Sequence, residues 1–338
     1  KMMENNIQNK YSEPISDIEI LNYIKLSKNN KSPGIDMVTN EMIKCGTPII
    51  IKYVTKLFNL ILNTGKFPSM WNISIISSIY KSGDMNECGN YRGLSVGSCL
   101  GKIFTGIINK RLVKFLDHNN IIKDNQAGFR QNRRTTDQIF ILKSIIKSTI
   151  LNKNKLYACF IDFSKAFDSV WRPGLLLKII QTGIDRQTYN VIKNIYLNTK
   201  FTIKNNDDNT YTIPEVSNIG VKQGDCLSST LFNVYINDLD TLFDKSCDPV
   251  TLVDIDINYL LYADDLILFS KSKTGLQNCL NKLSQFCNKW KLNINIKKTN
   301  TMIFSRRKPV DYFETNFYIN NVLIEMTDKY KYLGVIFT

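Results

Sequence analysis

The chain has 338 residues, and its 44 Lys and Arg against 30 Asp and Glu give a formal net charge of +14. This length suggests about two domains, and a hydrophobic content of 43% with 11% aromatic residues excludes a disordered or low-complexity chain. Apolar stretches such as 47–62 are interrupted by lysines, so we expect no membrane-spanning segment. The start at Lys1, without a signal-peptide pattern, suggests a segment of a longer polypeptide.

Cysteine and histidine usage limits the possible chemistry. The eight cysteines contain no C-x-x-C pair, and His118 is the only histidine, so neither a structural zinc site nor a c-type haem is expected. Cysteines in apolar runs, such as Cys159, indicate buried thiols in a reducing compartment. His118 is most simply a solvated residue at a helix end. Any catalysis must therefore depend on carboxylates and cations.

Residues 16–150 have a mainly helical pattern. Apolar residues recur at helical spacing in 18–24 and again in 103–115. Between them, the β-branched run 73–80 ends at the turn 81–84 and predicts a strand. This half of the chain is therefore expected to be mixed and mostly helical.

A basic region overlaps the same half. Residues 101–160 contain twelve Lys or Arg and three Asp or Glu, which is +9 of the total charge of +14. Basic residues beside Phe129 and several amide side chains are typical of a surface that binds a phosphate backbone. The alternative is that they form the solvated faces of lysine-rich helices, and charge alone does not decide between the two.

From residue 156 onward, strands and helices alternate. The sequence predicts strands at 156–162, 257–262, 266–270 and 301–305 and helices at 228–243 and 276–290. Residues 172–215, with two helices and a hairpin around the polar turn 205–209, are treated as an insertion. Without it the order is β-α-β-β-α-β, the split β-α-β pattern of a ferredoxin-like fold, in which four antiparallel strands carry two helices on one face.

Three acidic residues lie at strand ends in this frame. Asp162 ends the first strand, and Asp264 and Asp265 are predicted in the turn between the second and third. Because the first strand lies beside that hairpin, we expect the three carboxylates to converge at one edge. Adjacent carboxylates between apolar strands repel one another and lose solvation, a cost that a divalent cation can offset. The alternative is a solvated acidic turn.

The ligand types indicate which cation this would be. Carboxylate oxygens without histidine or thiolate favour Mg²⁺ over zinc. Two such ions about 4 Å apart are a known arrangement for nucleotidyl transfer. Together with the basic region, the three acids suggest a polymerase.

Several segments resemble the ordered motifs of reverse transcriptases. They are F-I-D-F-S-K-A-F-D-S-V (160–170), G-V-K-Q-G-D-C-L-S (220–228), Y-A-D-D (262–265), L-N-I-N-I-K-K-T (292–299) and Y-L-G (332–334). Upstream, the segments 31–36, 67–92 and 126–139 are similar to the fingers of the non-LTR (LINE-type) retrotransposon branch. The resemblance covers nearly the whole chain, and the motifs occur in order.

The resemblance implies an α+β right-hand polymerase fold. Residues 1–155 would form mostly helical fingers, and 156–338 would form a ferredoxin-like palm. The insertion 172–215 would contribute to the fingers, and a thumb would be absent.

The resemblance also implies catalytic roles. Asp162, Asp264 and Asp265 would be the catalytic acids and would hold two Mg²⁺ ions, for which Mn²⁺ can substitute. Lys298 would protonate the departing pyrophosphate. The alternative for Lys298 is an ordinary lysine on a solvated edge.

Seven residues are implied to bind the nucleotide: Lys81, Arg92, Phe163, Ala166, Phe167, Gln223 and Gly224. Lys81 and Arg92 would bind the triphosphate, as suits an ammonium and a bidentate guanidinium. Phe167 would exclude a ribose 2′-hydroxyl, and its alternative is a core phenylalanine. Gln223 and Gly224 would lie under the templating base, where glycine lets the backbone approach nucleic acid.

Nucleic-acid contacts are implied for two further groups. Arg130, Arg133 and Arg134 would contact the template backbone, and Tyr332, Leu333 and Gly334 would form a hairpin that holds the primer strand. The chain departs from the family pattern at Gly93 and Leu94, which follow the fingers Arg, and at Asp225, which would place a negative charge near the template.

The function implied by the resemblance is RNA-directed DNA polymerase of a retroelement. Its partners would be an RNA template, a DNA primer or target DNA, and deoxynucleoside triphosphates, and it would act inside the cell, in the nucleus. The alternative is a catalytically idle relative that binds RNA in a maturase-like or scaffolding role, and group II intron reverse transcriptases share some of these motifs. The three intact acids favour the polymerase.

Overall fold

A computed structural model describes residues 11, 13–81, 83–204, 210–307, 309 and 312–338, with only the backbone of Phe313. The helices are α1 (Asp17–Leu26), α2 (Asn40–Thr64), α3 (Cys99–His118), α4 (Thr135–Leu151), α5 (Arg172–Gln181), α6 (Arg186–Leu197), α7 (Cys226–Ile236) and α8 (Lys273–Trp290). The first seven strands are β1 (Ile73–Tyr80), β2 (Tyr91–Val96), β3 (Leu156–Ile161), β4 (Lys200–Ile203), β5 (Glu215–Val216), β6 (Val250–Leu252) and β7 (Ile255–Ile257). The remaining strands are β8 (Tyr259–Tyr262), β9 (Asp265–Ser270), β10 (Asn300–Phe304), β11 (Phe317–Ile319), β12 (Val322–Met326), β13 (Tyr330–Tyr332) and β14 (Val335–Phe337).

The chain divides into two compact units. Unit 1 contains residues 1–121 and 172–231, and unit 2 contains residues 122–171 and 232–338. The units do not coincide with the predicted division at residue 155, because α4 contributes the buried side chains of Leu142 and Ile145 to the core of unit 2. The predicted insertion from residue 172 lies in unit 1.

Unit 1 combines helices with a four-stranded sheet in the order β2-β1-β4-β5. β1 pairs antiparallel with β2 and parallel with β4. α1 starts with a capping box, in which Ser16 and Glu19 satisfy each other's backbone N–H groups. The Glu19 carboxylate also forms an ion pair with Arg111 of α3 at 2.7 Å, which fixes α1 against α3.

Unit 2 is built on a six-stranded sheet in the order β11-β12-β10-β3-β9-β8. The predicted four strands occupy adjacent places in it, and β3 pairs antiparallel with both β9 and β10, as β8 does with β9. Their spatial order is the one expected for a split β-α-β arrangement. The sheet extends beyond the prediction, because β12 adds parallel to β10.

The two faces of this sheet are both covered, at least in part. Ala158 and Phe160 belong to a core that includes residues of α4 and of the β13–β14 hairpin. Side chains alternate along a strand, so Cys159 points to the opposite face, where α8 packs. We expected helices on one face alone, and the apolar side chains of α4 explain the difference.

Element boundaries differ from the predictions in a few places. The helix predicted for 228–243 is α-helical from Cys226 to Ile236 and continues as a 3₁₀ turn over Asn237–Thr241. In the predicted hairpin, β4 pairs with β5, and Lys204 forms an isolated bridge with Tyr211. The turn 205–209 lies outside the described residues. His118 is the last residue of α3 and is exposed.

All eight cysteines are free thiols. Burial raises the pKa of Cys159, as expected for an inert core thiol.

Helix α2 has some properties of a membrane-spanning segment. Among the described residues it is the one helix with the length and apolar composition to cross a bilayer. One such helix is weak evidence, because core helices of soluble proteins pass the same test. Phe58 and Ile61 of α2 are buried within unit 1, whereas Ile49 and Tyr53 are exposed.

Arg172 organises the interior of unit 1. Its guanidinium donates to the carbonyl oxygens of Gly220 at 2.8 Å and Tyr196 at 2.6 Å and also to that of Ser217. The side chain is 4% exposed, and this burial lowers the pKa of Arg172 to about 10. One side chain thus satisfies three backbone carbonyls and ties the segment 217–220 to the end of α6.

Arg172→Met should therefore destabilise the protein. The substitution keeps most of the volume but leaves three carbonyl groups without their donor, and we expect the free energy of unfolding to fall by about 3 kcal/mol or more. Arg186→Met, at an exposed position, is the matched control and should change it by about 0.5 kcal/mol or less. Urea denaturation measures both, and equal effects of the two substitutions would contradict this role.

Candidate active site

The three predicted catalytic acids lie at one end of the unit 2 sheet. Ile161, the last residue of β3, pairs with Leu266 of β9. Continuing this antiparallel register by one residue sets Asp162 opposite Asp265. Residues directly opposite each other on antiparallel strands project to the same face, with their Cβ atoms about 5 Å apart. The sheet register therefore brings together two acids that are about a hundred positions apart in sequence.

The turn that carries Asp264 is shorter than predicted. Tyr262 pairs with Asp265, so Ala263 and Asp264 alone form the turn, and Asp265 is the first residue of β9. The prediction that Asp265 lies in the turn was therefore wrong, because β8 and β9 remain paired as far as that residue. Ala263 has a φ of +59°, at the first position of a two-residue turn that glycine often fills.

The carboxylates influence one another's charge. Partial desolvation, together with repulsion from Asp264 and Asp162, raises the pKa of Asp265 from its ordinary value of 3.8 to about 6. Because the folded-state value is the higher one, its contribution to stability is complete below about pH 4 and is lost as the pH rises through about 6. A cation placed among the carboxylates would remove this unfavourable repulsion.

The donor set fits a hard divalent cation, since it consists of carboxylate oxygens that repel one another. Across the residues that the structure describes, no three or more His, Cys, Asp or Glu side chains are gathered into a ready-made metal site. The carboxylates are therefore near enough to interact but are not arranged as a closed three-ligand cage.

The segment after α8 holds Asp162 in place. The Asp162 backbone N–H donates to Thr299 Oγ1 at 3.2 Å, and its carbonyl accepts from the N–H of Asn295 at 2.7 Å. Lys298 lies in this same segment, and its side chain is exposed. The structure thus brings the backbone of the predicted motif 292–299 beside Asp162.

Phe167 is held by two other aromatic rings. It is half-buried and stacks on Phe232, with ring centroids 4.6 Å apart. Phe129 meets it edge-to-face at 5.9 Å. Phe163 and Ala166 are buried, at 5% and 3% exposure, so any nucleotide contact that they make would come from their backbone.

The predicted triphosphate-binding residues lie on one hairpin of unit 1. Lys81 directly follows β1, and its N–H donates to the Asn90 carbonyl at 2.9 Å. Arg92 is opposite Ile79 on β2. The side chains of Lys81 and Arg92 are both exposed, so both cations are accessible to a ligand.

Gln223 and Gly224 are attached to the same hairpin. The Ser95 N–H donates to the Gln223 carbonyl at 2.7 Å. Gly224 has a φ of +107°, and a Cβ atom there would lie 3.2 Å from the Ser95 carbonyl oxygen. Both the backbone conformation and the close approach favour glycine at this position.

Asp225 has partners inside unit 1. Its carboxylate accepts from Thr105 Oγ1 at 3.1 Å and from the Leu227 N–H at 3.0 Å. Burial lowers the pKa of Lys222 to about 8, and the negative charge of Asp225 opposes that shift. The charge that we expected near a template is thus directed toward Thr105 and the buried Lys222.

The three arginines of the basic region differ in their surroundings. Arg130 donates to the carbonyls of Lys123 at 3.0 Å and Gln126 at 3.3 Å, so it stabilises its own loop. Arg133 forms an ion pair with Asp124 at 2.6 Å, and 42% of its side chain remains exposed. Arg134 precedes α4, and its backbone N–H donates to Asp137 at 2.8 Å. Its side chain is exposed.

The predicted primer-binding segment contains one buried residue. Tyr332 is 3% exposed and packs against Phe160, whereas Leu333 and Gly334 form the turn between β13 and β14. Sequence reasoning missed Tyr330, whose ring stacks on Phe160 at 4.2 Å. Burial and the nearby Asp162 and Asp265 raise the pKa of Tyr330 to about 12. Its position two residues before Tyr332, on the same face of a strand, was the signal available.

Comparisons with known proteins agree with the sequence motifs. A family model described as reverse transcriptase (RNA-dependent DNA polymerase) matches residues 79–337. The chain is 32% identical over 332 residues to a probable RNA-directed DNA polymerase from transposon BS of Drosophila melanogaster, covering 96% of this chain and 36% of the relative. It is 31% identical over 335 residues to the RNA-directed DNA polymerase from mobile element jockey of the same species, covering 96% and 35%. The chain thus spans about a third of the length of the curated relatives it matches.

Solved structures support the fold. An apo telomerase from Candida tropicalis, truncated from its C-terminal domain, matches with a TM-score of 0.55 and 14% identity, covering 90% of this chain and 61% of that one. A Candida tropicalis telomerase in complex with a fragment of telomeric RNA matches with a TM-score of 0.52 and 15% identity, covering 80% and 47%. At these identities the likeness concerns the fold alone. The predicted resemblance to non-LTR retrotransposon reverse transcriptases is confirmed by the family model and the curated relatives, and the chain belongs to the reverse transcriptase (RNA-dependent DNA polymerase) family.

Proposed function

We propose that this chain is the polymerase part of a retroelement protein and extends a DNA 3′-hydroxyl on an RNA template. The observation that carries the proposal is the pairing of Ile161 with Leu266, which brings the adjoining residues Asp162 and Asp265 together beside the turn residue Asp264, in a chain of the reverse transcriptase family. We assign unit 2 to the palm and most of unit 1 to the fingers. The activity for which the relatives are named supports this proposal, and their association with mobile elements supports action in the nucleus.

Asp162, Asp264 and Asp265 would hold two Mg²⁺ ions, or Mn²⁺ in their place. When bound, the ions would supply activation of the primer hydroxyl and neutralisation of the charge on the triphosphate. The chain contributes a fixed backbone, because Thr299 and Asn295 hold Asp162 while the β8–β9 turn holds Asp264. Lys298 would donate the proton that the departing pyrophosphate takes up.

The substrates would be bound by residues of both the β1–β2 hairpin and the predicted motifs described above. Lys81 and Arg92 would contact the triphosphate of the incoming deoxynucleotide through their exposed side chains. Gln223 and Gly224 would support the templating base, and the turn at Leu333 and Gly334 would contact the primer strand. Phe167 would contact the sugar, since Phe232 behind it limits how far the ring can retreat.

The first prediction concerns the metal ligands. Asp264→Asn removes one carboxylate charge without altering a phosphate contact, so primer extension on RNA with Mg²⁺ should fall by about a hundredfold or more, while RNA affinity stays nearly unchanged. Asp254→Asn is the matched control, because Asp254 is exposed in the same unit. Extension that survives Asp264→Asn would refute the metal assignment. No extension by the unaltered native polypeptide would favour the RNA-binding alternative.

The second prediction concerns sugar selection. Phe167→Val should relieve a clash with the 2′-hydroxyl and raise ribonucleotide incorporation about tenfold or more, which is roughly 1.4 kcal/mol. The measurement is the ratio of kcat/KM for deoxynucleotide and ribonucleotide on one primer and template. Phe167→Tyr keeps the ring stacked on Phe232 and should preserve the ratio, as should Phe140→Val at an exposed position of α4. An unchanged ratio in folded Phe167→Val would make Phe167 a core residue.

The third prediction concerns the basic region. Arg133→Gln with Arg134→Gln should weaken RNA binding for every sequence alike and flatten the slope of log K against log salt by about 0.7 to 0.9 for each phosphate that is no longer neutralised. Arg130 is left intact because it stabilises its own loop. Neutralising Lys273 and Lys289 on α8 removes the same charge elsewhere in unit 2 and should leave the slope unchanged. Equal slopes in both double variants would mean that the two arginines form a solvated face.

A further inference from the structure

The segment 125–128 runs beside β8, the strand that leads to Asp264. The Leu261 N–H donates to the Asn125 carbonyl at 3.0 Å, and the Ala127 N–H donates to the Leu261 carbonyl at 2.9 Å. These bonds form a parallel bridge between Gln126 and Leu261. The segment therefore adds a short backbone pairing to β8, the last strand in the order of the sheet.

The Gln126 side chain binds the backbone of a single residue of the turn. Its Oε1 accepts from the Ala263 N–H at 3.0 Å, and its Nε2 donates to the Ala263 carbonyl at 3.2 Å. Oε1 also accepts from the Gly128 N–H at 2.7 Å. Gln126 is 3% exposed, so these bonds form away from competing water. One amide thus satisfies both backbone groups of the residue directly before Asp264.

Ala263 needs such support because of its conformation. Its φ of +59° lies in the left-handed region, which is unfavourable for residues other than glycine. Gly128 packs directly against it, since a Cβ atom on Gly128 would lie 2.1 Å from the Ala263 nitrogen. Asn233 Nδ2 donates to the Gly128 carbonyl at 2.9 Å and fixes this loop from its other side. The turn is thereby held in one conformation by contacts outside its own hairpin.

We infer that Gln126 is a positioning residue for the polymerase reaction, which sets the direction of the Asp264 carboxylate by clamping the backbone of Ala263. The inference rests on the proposed function for its catalytic consequence, but the clamp itself is independent of activity. An apolar side chain of the same shape would fill the space equally well but could not hydrogen-bond to the Ala263 backbone. The two bonds from the Gln126 amide to Ala263 are therefore what distinguish a positioning role from packing alone. Without the clamp, the turn could move while the sheet stays folded.

The test compares Gln126→Met with Gln138→Met. Both replace a glutamine of unit 2 that is 3% exposed, but Gln138 lies on α4, and its side-chain oxygen, unlike that of Gln126, accepts no hydrogen bond. We expect Gln126→Met to speed backbone amide exchange at Ala263 and Gly128 about tenfold or more, and to leave exchange at Phe160 and Ile267 in the sheet unchanged. Gln138→Met should leave all four amides unchanged.

Two further measurements connect the clamp to the site. In the 338-residue chain, Gln126→Met should weaken Mn²⁺ binding, measured by calorimetry, about tenfold. In the native polypeptide it should lower kcat for primer extension about tenfold or more while the KM for deoxynucleotide changes less than twofold. Gln126→Glu keeps the oxygen that accepts both N–H groups, so it should fall between the unaltered protein and Gln126→Met and remains informative if Gln126→Met does not fold.

The outcomes separate the two proposals. The clamp would be overturned if backbone amide exchange at Ala263 were equally fast in Gln126→Met and Gln138→Met. If Gln126→Met is unfolded, it would be overturned by equal exchange at Ala263 in Gln126→Glu and the unaltered protein. Faster exchange with unchanged Mn²⁺ binding and unchanged kcat would reduce Gln126 to a structural residue and overturn the positioning role. If the unaltered polypeptide makes no DNA, the proposed function fails, and the exchange and Mn²⁺ measurements still decide whether Gln126 positions Asp264.

Discussion

The convergence of Asp162, Asp264 and Asp265 at one end of a buried apolar sheet is the constraint that the rest of unit 2 must accommodate. Burial first, and then repulsion from Asp264 and Asp162, raises the pKa of Asp265 to about 6. Burial of β3 and β9 offsets that cost, since Phe160, Ile267 and Phe269 are almost fully enclosed. Unfavourable carboxylate repulsion therefore remains at the end of the apolar sheet, and a bound divalent cation would offset it.

Two of the three acids are supported by segments outside their own strands. Thr299 and Asn295 fix the backbone of Asp162, and the amide of Gln126 fixes the residue before Asp264. These supports come from segments distant in the chain, and they act on the backbone. They therefore do not use the carboxylate oxygens.

Unit 1 also buries charged side chains, but these are cations. Arg172 and Lys222 are cations at 4% and 6% exposure, and a buried charge is costly unless it is paired or hydrogen-bonded. Backbone carbonyls surround Arg172, and Asp225 lies near Lys222. The same contacts tie together the segments around residue 220, which carry Gln223 and Gly224. The contacts that stabilise the buried charges of unit 1 therefore also hold the loop that we propose lies under the templating base.

The sequence by itself predicted that Asp162, Asp264 and Asp265 converge at one end of a sheet, the order of the four strands around them, and the family, because turn residues and apolar runs are local signals and the motifs occur in a fixed order. It did not determine which side chains hold those acids. Gln126 lies in a motif that resembles part of the fingers, yet it pairs with the sheet of unit 2, and Tyr332 is buried. Arg130 proved to stabilise its own loop. Such contacts depend on the pairing of distant segments and on which face of a strand is covered, and only the tertiary structure decides these.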